Sequence, residues 1–240
     1  MIDLTVNVDH VATVREARMG SDPDPVTIAL MAEAAGAGGV ALHLRGDRRH
    51  VQERDLRLLR ELSKTSFELQ ISSAEESLGF ALASRPDVAT IVQEADGSAS
   101  TSIDLVALED SLRETVAALK RADVGVSFFI EPDLNQVKTA SRIGADRVEL
   151  RAHKFVKAFK SSDEEREMDK MASAATMAAK LGLPAYAGGG ISYRHASRLS
   201  QIEELNGLVV GHAIVSRAVA VGIERAVGEM LSLIRSAKPA

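Results

Sequence analysis

Gly39-Val40-Ala41-Leu42-His43-Leu44-Arg45-Gly46-Asp47-Arg48-Arg49-His50 starts as an apolar run and ends in a dense polar cluster. A short run of this kind reads as a strand buried on both faces, with its chemistry collected at the end. The same grammar recurs. Asn7-Val8-Asp9-His10 closes the run at 4–8, and Glu68-Leu69-Gln70 lies in the run at 66–71. Gly188-Gly189-Gly190 follows the run at 184–187, and Gly211-His212-Ala213 follows that at 207–210. Three more strand-like runs occupy 88–92, 125–130 and 147–150.

Between these runs, apolar spacing suited to one buried helical face predicts helices over 25–35, 53–63, 74–83, 108–122, 134–143, 164–181, 195–202 and 214–235. The last breaks near Gly222. Alternating strands and helices imply a parallel sheet, and eight such units in 240 residues favour closure. The expectation is therefore an α/β protein, a (β/α)8 TIM barrel forming a single domain over 1–240. No linker divides the chain. The Ser-, Gly- and Thr-rich stretch at 94–104 reads as an elongated loop after the fourth strand, where barrels place substrate contacts or a lid.

Composition narrows the function classes. A hydrophobic content of 45% suits a large core, yet no run reaches the roughly 18 apolar residues of a membrane span. The chain has no cysteine, hence no disulfide framework and no thiolate metal site. The start, Met1-Ile2-Asp3-Leu4, shows no export signal, and a cytoplasmic setting is expected. A net charge of −5 argues against nucleic acid as a partner. Locally, Arg45, Arg48 and Arg49 suit small phosphorylated anions.

His43 and Arg45, two apart at a strand end, point to the same side, and inside a barrel that side faces the mouth. A histidine there exchanges protons near neutral pH; the alternative is a core histidine and a solvated arginine run. By the same alternation Asn7 and Asp9 point inward while His10 enters the loop, and their polar groups need partners, either substrate or neighbouring strands. Arg18, in the loop before the first helix, is placed either to reach an anion or to face solvent. The two glycine loops, at 188–190 and 211–213, let backbone N–H groups approach a phosphate, and following helix starts add partial positive charge. Alternatively they only permit tight turns.

Together these residues resemble the pyridoxine 5′-phosphate synthase family along almost the whole chain. The resemblance rests on Asn7-x-Asp9-His10, Arg18, Asp24-Pro25-Val26, His43-Leu44-Arg45-x-Asp47-Arg48-Arg49-His50, the strand carrying Glu149, Ala187-Gly188-x-Gly190 and Gly211-His212-Ala213-Ile214. It implies a barrel that condenses deoxyxylulose phosphate with aminoacetone phosphate, releases inorganic phosphate, and uses neither metal nor organic cofactor. It also implies a homo-oligomer, since members of the family are often octameric. By position, Asn7, Arg18, Gly190, Gly211 and His212 would hold the aminoacetone phosphate. Asp9, His10, Arg45 and His50 would hold the deoxyxylulose phosphate, His43 would accept a proton, and Glu149 would stabilise charge in the transition state.

The chain departs from that pattern at its acid and base positions. Gln70 stands at the family's second base, a glutamate, and Gly189 at its catalytic histidine. An amide cannot shuttle a proton. Glu149-Leu150-Arg151-Ala152-His153 replaces Glu-Ile-His-Thr-Gly, Tyr186 replaces an asparagine, and Ala99, Ser100 and Thr101 compete for a substrate-loop hydroxyl. Glu68 lies two residues from Gln70, about 7 Å along the same face. It reads either as a relocated base or as the partner of a buried Arg147 or Arg151. His153 is the corresponding candidate for the missing acid. Three functions fit: the family's condensation, a different reaction on related phosphorylated ketones or amines, and non-catalytic binding of such metabolites.

Overall fold

In the computed structural model residues 2–94 and 100–237 are described, so the Ala99 alternative falls outside the described residues. Along the chain run β1 (Asp3–Asn7), α1 (Asp9–Ala17), α2 (Pro25–Ala34), β2 (Gly39–His43), α3 (Glu53–Leu62), β3 (Ser66–Ile71), α4 (Glu75–Ser84) and β4 (Val88–Ile91). After these come α5 (Leu105–Arg121), β5 (Gly125–Ile130), α6 (Leu134–Arg142), β6 (Arg147–Arg151), α7 (His153–Ala158) and α8 (Glu164–Lys180). The final set is β7 (Ala185–Gly188), α9 (Tyr193–Leu199), β8 (Leu205–Val210), α10 (His212–Val221) and α11 (Ile223–Ser236). The eight strands pair in parallel in chain order, and β8 closes on β1. This is the expected (β/α)8 barrel.

Local chemistry sets the helix starts. Asp24 accepts from the Val26 N–H with Pro25 at the first helical position, and Asp133 caps α6 in the same way. Asp104 accepts from the N–H groups of Val106 and Ala107, which is why α5 begins ahead of the expected residue 108. Gly222, at φ +84, separates α10 from α11.

Two helices were not expected. Asp9, expected at the end of the first strand, and His10, expected in a loop, both lie in α1: Asp9 sits in its first turn, and Val11, Ala12 and Arg15 form its buried side. Arg18 therefore ends α1 as its C-cap instead of floating in a loop. Likewise His153 opens α7, with Phe155 anchoring that short helix in the core.

Outward-facing strand residues such as Val40, Leu42, Leu69, Val148 and Leu150 are fully buried under the helices. By contrast, the inside of the barrel is polar, with Glu68, Thr90, Ser127, Arg147 and Glu149 all buried. Parallel register puts His43 beside Gln70, Phe129 beside Glu149, and Glu149 beside Tyr186. Among the described residues no helix is long and apolar enough to cross a membrane.

A buried ion pair fixes the helix that follows β1. Arg15 donates through Nη1 and Nη2 to both oxygens of Asp55, each at 2.8 Å, and Nη2 also reaches the His50 carbonyl at 3.0 Å. Asp55, wholly buried, accepts in addition from the Gln52 N–H at the start of α3. Removing one partner leaves a buried charge unanswered. Asp55→Ala should cost about 3 kcal/mol in urea-induced unfolding, and the His50 loop should become more susceptible to proteolysis.

Candidate active site

A cavity of about 490 Å³ opens where the C-terminal ends of the strands meet. Asn7, Asp9, His10, His43, Arg45, His50, Gln70, Glu149, Gly189, Gly190, Gly211 and His212 all line it. Of the other candidates, Arg18, Glu68 and His153 do not.

Asp9 organises one wall. Its Oδ2 accepts from Asn7 Nδ2 at 2.8 Å, its own N–H donates to Asn7 Oδ1 at 3.0 Å, and its Oδ1 accepts from the His43 N–H at 2.7 Å. Asn7 is pressed against Gly211: a Cβ there would lie 3.0 Å from Asn7 Oδ1 and 3.1 Å from the Asn7 carbonyl. Glycine at 211 is thus required by contact, and it leaves the start of α10 open to the cavity.

His43 is buried at the end of β2, where Ser100 Oγ lies 3.0 Å from Nδ1 and Glu94 Oε1 lies 3.4 Å from Nε2. The Gly46 N–H donates to the same Glu94 carboxylate. Beside it, His50 Nδ1 accepts from the Val51 N–H at 2.7 Å, which directs Nε2 away from the backbone. Loss of solvent pushes the His50 and His10 imidazoles below their ordinary value, so both are neutral at neutral pH. His10 meets His212 edge-on at 5.0 Å between ring centroids. Arg45 is buried and reaches Asp47 Oδ1 at 3.3 Å, and Arg49 with Arg45 holds the Asp47 carboxyl well below the carboxylate range.

One ligand atom each from Asp9, His43 and His50 falls within 4.8 Å of the others, a spacing a divalent ion can gather. Both Asp9 oxygens also accept hydrogen bonds, from Asn7 and from the His43 N–H, which ties Asn7, Asp9 and His43 into one wall.

The floor holds the altered positions. Glu68 is one layer below the cavity, ion-paired with Arg147 Nη2, and accepts from Thr90 Oγ1 at 2.6 Å. Of its two readings, the buried pair is the one realised. Tyr186 follows it inward: its ring stacks on Arg147 at 4.3 Å, and its hydroxyl sits 3.5 Å from Asp3 Oδ2. The ring fills the space over Gly207, where a Cβ would lie 2.2 Å from it. Tyr186 consequently leaves the glycine loops uncovered.

Gln70 Nε2 donates toward Glu149 Oε2 at 3.5 Å. Burial first, and the Glu68 charge second, push the Glu149 carboxyl well above its ordinary value, which favours its protonated form. Gly189 and Gly190 adopt φ +90 and +87, and a Cβ on Gly189 would approach Phe129 Cζ to 3.1 Å. Arg151 turns away to Glu131 Oε1 at 3.2 Å, next to Lys154 on Oε2. His153 lies beyond them, held below its ordinary value by burial, Arg151 and Lys157. It opens α7 and is not among the residues that line the cavity.

The reading of the sequence missed Thr13, Phe129, Ser192 and Val209, which also line the cavity. Thr13 is one helical turn after Asp9, a signal visible only once α1 is recognised. Phe129 follows the same alternation along β5 that placed Glu149 on β6. Ser100 is the loop hydroxyl that reaches the cavity; Thr101 instead pairs backbone groups with Gln93.

Residues 4–236 match the family described as pyridoxal phosphate biosynthesis protein PdxJ. The chain is 42% identical over 236 residues to the pyridoxine 5′-phosphate synthase of Syntrophobacter fumaroxidans, covering 98% of this chain and 99% of that protein. It is 43% identical over 240 residues to the protein of the same name from Geotalea daltonii, again covering 98% and 99%. Among solved structures, 3-keto-L-gulonate-6-phosphate decarboxylase from Vibrio cholerae superposes with a TM-score of 0.67 at 12% identity, covering 99% of each chain. Thiamine phosphate pyrophosphorylase from Pyrococcus furiosus gives 0.62 at 16%, covering 99% and 98%. At such identities these two structures show the fold alone.

The raised Glu149 carboxyl makes stability depend on pH with a definite sign. Its contribution is full below the ordinary glutamate value of 4.5 and is lost as pH rises through the higher folded value. Glu149→Gln should therefore melt close to the parent in acid and gain on it progressively toward neutral and alkaline pH. A melting-temperature difference that stays flat or reverses from pH 4 to 9 would contradict a protonated Glu149.

Proposed function

The chain belongs to the PdxJ family, and from that membership we propose that it is an enzyme of the pyridoxine 5′-phosphate synthase type. It would condense deoxyxylulose phosphate with aminoacetone phosphate, releasing inorganic phosphate as the pyridine ring closes. One observation carries this reading: a single cavity gathers the groups assigned to both substrates. Asn7, Gly190, Gly211 and His212 offer an amide, open backbone and a helix start to the aminoacetone phosphate. Asp9, His10, Arg45 and His50 line the adjoining wall for the deoxyxylulose phosphate. His43 is the proton acceptor. Glu149, whose carboxyl is pushed up by burial, donates a hydrogen bond in its protonated form to negative charge as it develops.

Arg18 is exposed at the end of α1, outside the cavity of its own chain. Near it, Met19 is 91% exposed, and α10 buries only Ile214 while Val219 is 85% exposed. These apolar residues support a homo-oligomer, with an octamer as the form to test by light scattering.

A second reading draws on Gln70 and Gly189, neither of which carries a proton-transfer group. It assigns the same cavity to a shorter reaction on related phosphorylated ketones or amines, or to binding alone. Incubation with both substrates, followed by assay of pyridoxine 5′-phosphate and free phosphate, separates the readings. Formation of both products supports condensation; tight binding of either substrate without product abandons it.

Where turnover is present, His43→Ala should reduce it by about 10² to 10⁴ fold with little change in substrate affinity. Unchanged turnover would reduce His43 to a structural residue. Gly189→His should not rescue activity by itself, because it combines positive φ with the contact to Phe129. Its stability cost should be about 1–3 kcal/mol by denaturant unfolding, and a variant as stable as the parent and more active would refute that view of the glycine.

A further inference from the structure

His43 Nε2 is buried and has no hydrogen-bond partner, although Glu94 Oε1 stands 3.4 Å away. At the other side of the ring, Nδ1 meets Ser100 Oγ at 3.0 Å. Of the two neighbours, Ser100 lines the cavity and Glu94 does not. The imidazole therefore stands between a carboxylate behind it and a hydroxyl in front of it. We propose that Glu94, His43 and Ser100 form a proton relay in which Glu94 positions and charges His43 and the Ser100 hydroxyl exchanges protons with the bound substrate.

The geometry fixes the direction of the relay. A carboxylate behind Nε2 favours the tautomer that carries its proton there, leaving the Nδ1 lone pair to accept from Ser100. When a substrate C–H or ammonium proton passes to Ser100 Oγ, the hydroxyl's own proton moves to Nδ1. The electron pair remains on the substrate as an enolate from a ketone, an enamine from an iminium or a free amine from an ammonium, and the imidazolium forms beside Glu94. Reversal returns the proton to a departing oxygen. No group of the relay depends on position 70 or 189.

The surroundings leave Glu94 as the carboxylate able to act on Nε2. Asp9 binds the His43 backbone N–H and Asn7, and His50 stands 6.2 Å away between ring centroids. Asp47 is engaged by Arg45 and Arg49, while Glu149 lies on β6 and faces Gln70. The Gly46 N–H fastens Glu94 to the loop after β2. Correspondingly, Glu94 is held below the ordinary glutamate value, first by His43 and further by Gly46 and Arg45, against the effect of burial. Glu94 is a positioning residue; Ser100 is the one that would touch substrate.

The relay deepens the condensation reading and rests on it for the identity of the proton donor, so its test needs a readout that does not require turnover. Glu94→Gln keeps an acceptor for the Gly46 N–H and removes only the charge. Imidazole NMR titration, with the His43 signal assigned from His43→Asn, should show the His43 midpoint falling by about one pH unit in Glu94→Gln and recovering in Glu94→Asp. Ser100→Ala should leave that midpoint within a few tenths of a unit of the parent. An unchanged midpoint in Glu94→Gln overturns the relay whether or not the protein turns over.

With both substrates, Glu94→Gln and Ser100→Ala should each lower kcat by about 10 to 10² fold while KM moves less than about threefold. The acid limb of the Glu94→Gln rate profile should move to lower pH. A parent that shows the NMR shift but makes no pyridoxine 5′-phosphate retains the Glu94–His43 pair and removes the condensation reading. Turnover undiminished by Ser100→Ala removes Ser100 from the relay.

Discussion

The ion pair between Glu68 and Arg147 sets the terms for everything above it in the barrel. A carboxylate enclosed by eight strands keeps its charge only if a cation and hydrogen bonds answer it, and Arg147 and Thr90 do so here. Arg147 in turn needs cover, which the Tyr186 ring gives by stacking on it over Gly207. Burial, and the Glu68 carboxylate paired in that layer, make a charge at Glu149 costly and push its carboxyl well above the ordinary value. A further carboxylate at position 70 would be a third in one low-dielectric space. Gln70 is the neutral residue that fits, directing its amide toward Glu149. Glu68, Gln70, Glu149 and Tyr186 thus form one coupled solution of barrel-interior electrostatics, with Arg147 at its centre.

Much of this was legible before any coordinates. Apolar runs of four to six residues with polar ends identified every strand, because a strand covered on both faces admits few other compositions. Alternation along 66–71 put Glu68 inside the barrel and supplied Arg147 as one of two partners. Which arginine it was could not be read, since both lie on the same face of β6 and only the depth of the layers separates them. α1 escaped notice because its opening residues carry the chemistry, and the buried Val11, Ala12 and Arg15 are too few to impose a period. His153 looked like a strand-mouth residue until α7 took it away. Glu94 gave no local signal at all: its role comes from the loops after β2 and β4 meeting, a contact between positions about 50 residues apart in sequence.

Around the cavity the two halves divide the work. On the side of β7 and β8, Gly189, Gly190 and Gly211 present backbone, and α10 begins at the cavity edge. A side chain there would be crowded, by Phe129 at Gly189 and by Asn7 at Gly211. That half suits an anion held by N–H donors, whose strength does not change with pH. The side of β1, β2 and β4 is titratable instead, with His10, His43, His50 and Glu94 close together. Asp9 joins the halves, since it fixes Asn7 with one oxygen and the His43 backbone with the other.

That division bears on what Gln70 and Gly189, neither of which carries a proton-transfer group, leave the site to work with. Gly189 sits in the backbone half, where an imidazole would have to project from positive φ past Phe129. Arg151, the nearest charged side chain, is committed to Glu131 along with Lys154. His212, at the start of α10, is the titratable side chain that lines the cavity on that side. The proposed relay runs along the other wall, where Ser100, His43 and Glu94 stand in line. A reaction that uses the relay for both its acidic and its basic steps brings them to that wall, through motion of the bound substrate between them.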